Sequence, residues 1–80
     1  MPRPRKTKLP NVEFLIDGNG DITIGRIASI RCAATAANED QQLAALVRRK
    51  GESLDDLLQR LDVAIEQALE ENVYVDEINR

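Results

Sequence analysis

The stretch SLDDLLQRLDVAIEQALE, residues 53–70, decides the fold. Leu54, Leu57, Leu58, Leu61, Ala64, Ile65, Ala68 and Leu69 recur at helical spacing and make one continuous apolar stripe. Asp55, Asp56, Gln59, Arg60, Asp62, Glu66, Gln67 and Glu70 take the remaining surface. Ser53 is a good N-cap, Asp56 puts a carboxylate in the first turn where the helix dipole favours it, and Asn72 can close the helix in the left-handed conformation. One buried stripe does not offset the entropy of ordering so many residues. The helix therefore needs a covering surface, supplied by its own chain or by a second one. Leu54, Leu57, Leu58, Leu61, Ile65 and Leu69 are the candidate core or interaction residues.

Working outward, Val73-Tyr74-Val75 reads as a short extended tail closed by Asp76-Glu77-Ile78. Upstream, Gln41 to Lys50 fits two patterns. Leu43, Leu46 and Val47 suit a helix stopped by Gly51, whereas Leu43, Ala45 and Val47 alternate as in a strand. The strand is preferred, because three strands under one helix make a viable two-layer domain and a lone hairpin is marginal. Residues 26–37 remain open between helix (Ile27, Ile30, Ala34, Ala37) and a strand bulging at Gly25.

Val12, Phe14 and Ile16 alternate with Glu13 and Asp17, which predicts a strand. Asp17-Gly18-Asn19-Gly20-Asp21 then predicts a hairpin turn, with Ile22-Thr23-Ile24 as the return strand. The expected class is α+β: an antiparallel β-hairpin or three-stranded meander packed against one long C-terminal amphipathic helix. Residues 1–10 hold three prolines and four cations with little to bury, and are expected to form a disordered basic arm ahead of a single domain over 11–80.

The segment Arg48-Arg49-Lys50-Gly51-Glu52-Ser53-Leu54, then Leu57-Leu58-Gln59-Arg60-Leu61-Asp62 and the late Asp76-Glu77-Ile78-Asn79, resembles small uncharacterised bacterial proteins often met in mobile genetic elements. The resemblance covers about the last 35 residues and brings no known activity. It implies a strand ahead of the Gly-Glu-Ser/Thr-Leu helix start.

Eighty residues with 42% hydrophobic content allow one domain with a thin core, since alanine dominates and the aromatics are Phe14 and Tyr74 alone. Small domains add disulfides, metals or a partner subunit. Cys32 is a single cysteine and the chain has no histidine, so self-association is the expected reinforcement. The lone cysteine and the absence of an apolar leader or an 18-residue apolar run lead to the expectation of a cytoplasmic protein outside the membrane.

Functional chemistry is sparse. Asp17, Asn19 and Asp21 match the first ligands of a calcium loop, but Ile22 and Ala28 stand where glycine and a bidentate glutamate belong. No His-based triad, activated cysteine or phosphate-binding glycine loop is present, so neither an enzyme nor a cofactor is expected. The net charge of -3 splits into nine cations against five acids over residues 1–50, and two against nine from residue 51. Arg3, Arg5, Lys6 and Lys8 form a candidate phosphate-binding arm, while Arg48-Arg49-Lys50 beside an acidic helix start reads as ordinary surface electrostatics. The expectation is an interaction or accessory protein, self-associating as a homodimer or bound to a protein partner. The alternative is a nucleic-acid-binding accessory protein using the arm.

Overall fold

The computed structural model describes residues 8–79. The elements run α1 (Pro10–Asp17), β1 (Asp21–Ile27), β2 (Ile30–Ala37), β3 (Gln42–Val47), α2 (Leu54–Glu71) and β4 (Val75–Asp76). The fold is α+β, with a four-stranded sheet in the order β1-β2-β3-β4. β1–β2 and β2–β3 are antiparallel, and the short β4 joins β3 in parallel.

α2 forms as its pattern dictates. Ser53 Oγ accepts from the Asp56 N–H at 3.0 Å, and Asn72 ends the helix at φ 58°. Its stripe is covered by its own chain: Leu57, Leu61 and Ile65 are fully buried against Ala34, Ala36, Leu43, Ala44 and Leu46 of the sheet. Leu58 is half-buried, while Leu54 and Leu69 at the two ends stay largely exposed.

Residues 26–50 resolve as strands. Ala33 pairs with Val47 and Ala34 with Leu46, so the alternation of β3 outweighs its helical spacing once a neighbouring strand supplies partners. The register turns Ala34, Ala36, Ala44 and Leu46 towards the helices. It leaves Thr23, Thr35 and Ala45, with Gly25, Ala33 and Val47, in rows on the opposite face.

Three expectations are corrected. Residues 12–16 are not a strand but helix α1, with Val12 and Leu15 buried and Phe14 and Ile16 exposed. Pro10 at the first helical turn presets φ, and the N–H groups it leaves behind find an acceptor elsewhere in the chain. The hairpin therefore moves: Asp17–Asp21 is a helix-to-strand connection in which Gly18 and Gly20 N–H donate to Leu15 O at 3.2 and 3.0 Å. The true turn is Ala28-Ser29, between the paired Ile27 and Ile30. In the Asp17–Asp21 connection Gly20 is required, since a Cβ at this position would overlap the Leu15 side chain. Leu9 packs against the core and Pro10 opens α1, so the last residues assigned to the arm belong to the fold. No helix among the described residues is long and apolar enough to cross a membrane.

Candidate functional site

α1 has no capping side chain of its own at Leu9. Asp62, expected on the solvent face of α2, is buried instead and supplies the cap. Its Oδ1 accepts from the Asn11 and Val12 N–H groups at 2.8 Å each, and its Oδ2 accepts from Asn11 Nδ2 at 3.0 Å. Gln59 Nε2 donates to the Lys8 carbonyl at 3.4 Å one turn earlier. α1 thus lies beside α2 and runs in the same sense, held by the positive end of its own dipole on a carboxylate 50 residues away.

This placement brings Phe14 and Leu69 to one groove of about 600 Å³. Pro10 and Leu15 contribute apolar floor, and Glu13, Asp17, Asn38, Glu39 and Asp40 form the rim. Phe14 is 68% exposed and Leu69 39%. Asn19 Nδ2 donates to Glu39 Oε2 at 3.3 Å, and Asn38 Oδ1 accepts from the Asp40 and Gln41 N–H groups at 2.8 Å, fixing the β2–β3 turn that carries the rim.

The topology also sorts charge. Segments 17–21, 37–42 and 69–74 meet at one end of the sheet, bringing Asp17, Asp21, Glu39, Asp40, Glu70 and Glu71 together without a lysine or arginine among them. Segments 26–31 and 47–53 meet at the other end with Arg26, Arg31, Arg48, Arg49 and Lys50, where Glu52 and Glu77 are the acids within reach of Arg49. The charge difference between the two ends of the sheet cuts across the sequence halves, since Asp17, Asp21, Glu39 and Asp40 at the acidic end come from the basic half. Arg26 and Arg31 flank the β1–β2 tip, and both are exposed.

Near the basic end, Arg60 organises a network that seals the edge of β3. Its Nε and Nη2 donate to Glu52 Oε2 and Oε1 at 2.7 and 3.0 Å, Nη1 to Glu77 Oε2 at 3.0 Å, and Nη2 to the Val47 carbonyl at 3.0 Å. Glu77 Oε1 accepts from the Val47 N–H at 2.9 Å, and Glu77 N–H donates to Ala45 O at 2.7 Å. Side chains here take the place of a neighbouring strand. Hydrogen bonds from Arg60 and from the Arg49 N–H hold the Glu52 carboxyl down at about 2, and its bond to Glu52 raises the Arg60 pKa. Arg48 Nε donates to Glu52 O at 2.9 Å, so part of the basic triplet serves the loop before α2.

The expected stripe is therefore divided. Leu57, Leu61 and Ile65 are core, Leu58 is half-buried, and Leu54 and Leu69 reach the surface at opposite ends. Lys8 is exposed; Arg3, Arg5 and Lys6 lie outside the described residues. Among the described residues no group of three or more His, Cys, Asp or Glu side chains is placed to hold a metal ion, and Asp17, Asn19 and Asp21 lie on the helix-to-strand connection. Sequence reasoning missed Asp62, Phe14 and the β1–β2 tip. Asp62 carried no local signal, because the groups it caps lie 50 positions away; for Phe14 the signal was Pro10 at helical spacing from Glu13 and Phe14. Comparison with protein-family models, with curated proteins and with solved structures finds no match.

Proposed function

We propose that the protein acts by binding, as a self-associating interaction module of accessory type. The observation that carries this reading is the groove that brings the exposed Phe14 and Leu69 together at an end of the molecule where the described lining charges are acidic. Isolated exposed apolar residues are ordinary, but two that share a concave site mark an interaction surface. The chain offers no histidine for proton transfer, and its acids serve as caps, edge seals or surface charge, which supports a role without catalysis. The lone Cys32 supports a cytoplasmic setting. The surface used is the groove, which takes only Leu69 from the α2 stripe, because the sheet already covers Leu57, Leu61 and Ile65. Light scattering on the wild-type protein across a concentration series tests this: mass should rise with concentration, and Phe14→Asp should remove the rise while leaving the amide spectrum folded. A Phe14→Asp variant that associates like wild type refutes the groove as the surface.

A second reading, binding to nucleic acid, is favoured by the convergence of Arg26, Arg31, Arg48, Arg49 and Lys50 at one end of the sheet. Phosphate contacts weaken steeply with salt. A gel shift on duplex DNA across a salt series should then show binding at low salt that Arg26→Glu/Arg31→Glu reduces; no retention at low salt removes this reading.

A further inference from the structure

We infer that the β1–β2 tip of one molecule docks in the Phe14–Leu69 groove of a second copy, so that the chain assembles head to tail. This rests on the interaction reading above and specifies its occupant. The two surfaces are complementary in both respects that matter. The groove has an apolar floor with Glu39 and Asp40 on its rim. The tip presents Ile27 and Ile30, both only half-buried, between the exposed Arg26 and Arg31, which form no ion pair among the described residues.

A molecule cannot satisfy its own groove in this way. Tip and groove lie at opposite ends of the seven-residue β1, about 20 Å apart at ~3.3 Å per residue. Each docking event consumes one tip and one groove and leaves one of each open, which makes the contact heterologous, closing into a ring or extending as a filament according to the rotation between copies. The other basic cluster is the poorer occupant, because Arg48 Nε is held by the Glu52 carbonyl, the Arg49 guanidinium lies 4.0 Å from Glu77, and no apolar tip accompanies them. A short tip buries less than the ~1,200 Å² of a standard interface, so association is weak and depends on concentration. Because Arg26 and Arg31 meet Glu39 and Asp40 at an exposed rim, salt weakens it further.

The test uses the full chain in low salt, with sedimentation velocity and light scattering as readouts. Arg26→Glu/Arg31→Glu removes the tip, and Phe14→Asp removes the groove; amide spectra verify that both remain folded. Each variant alone should associate at least ~10-fold more weakly than wild type: the tip variant because like charges then face each other across the rim, and Phe14→Asp because a carboxylate that must be desolvated replaces the apolar floor under Ile27 and Ile30. Their equimolar mixture should give a 1:1 heterodimer of about twice the 8.9 kDa chain mass and nothing larger, because one intact tip and one intact groove remain between them. Deletion of residues 1–7 should leave wild-type association unchanged. If the tip variant associates like wild type while Phe14→Asp is monomeric, the groove stands as an interaction surface but the tip is not its occupant. If deleting residues 1–7 abolishes association, the basic arm is the occupant and the tip proposal falls. If Phe14→Asp associates like wild type, the groove reading fails with it.

Discussion

Replacing Asp62 with alanine should weaken the fold out of proportion to one surface-patterned residue. The side chain caps α1 through two backbone N–H groups at 2.8 Å and the Asn11 amide at 3.0 Å. Loss of a cap costs about 1 kcal/mol. The Val12 N–H, in a residue only 7% exposed, would also be stranded, which adds about 1–2 kcal/mol. The Asn11 N–H is half-exposed and can turn to water, so it adds little. The sum is about 2–3 kcal/mol, against a total of about 4–12 kcal/mol for a domain of this length. With a urea slope near 1 kcal/mol/M, the midpoint should fall by about 2 M or more. Hydrogen exchange should show the amides of Val12 to Asp17 losing protection before those of β2 and β3. Asp62→Asn, which keeps an acceptor oxygen, should lose only about half as much. A midpoint shift below about 0.5 M for Asp62→Ala, or a loss of protection spread evenly over the chain, would show that α1 is not held by this cap.

Arg60→Ala should cost about 2 kcal/mol, scaled down from a fully buried pair because the side chain keeps 22% exposure, and should speed exchange at the Val47 amide; denaturation and hydrogen exchange measure both. The Glu52 carboxyl, lowered from 4.5 to about 2, contributes stability that is fully present above about pH 4.5 and is lost as pH falls through 2, so Glu52→Gln should flatten the stability profile across that window in an acid titration followed by circular dichroism. Gly20→Ala should destabilise by about 1–3 kcal/mol, because the new methyl meets the buried Leu15 side chain and the Leu15 carbonyl; Gly51→Ala, with open space around it, meets only its positive φ and serves as the contrasting measurement in thermal melts.

α2 was legible from residues 53–72 because its signals are local: a Ser53 cap, a 3.6-residue apolar period and a left-handed Asn72 all act within the helix itself. The same holds for the α+β class and for the need of α2 to be covered. α1 was not legible. Val12, Phe14 and Ile16 alternate as in a strand, and the helix prevails through Pro10 and through a cap from Asp62, an interaction no local window contains. The choice between helix and strand over residues 26–50 was likewise non-local, because alternation and helical spacing coexist there and only pairing of Ala34 with Leu46 separates them. The candidate site belongs to this second group. Phe14 and Leu69 are 55 positions apart, and the cations at 26–31 and 48–50 converge only because antiparallel strands fold sequence separation back on itself. Local propensity settled where the long helix lies and which of its faces is apolar; strand pairing, the reach of one buried carboxylate and the closure of α1 onto α2 settled what that face meets and what surface is left over for binding.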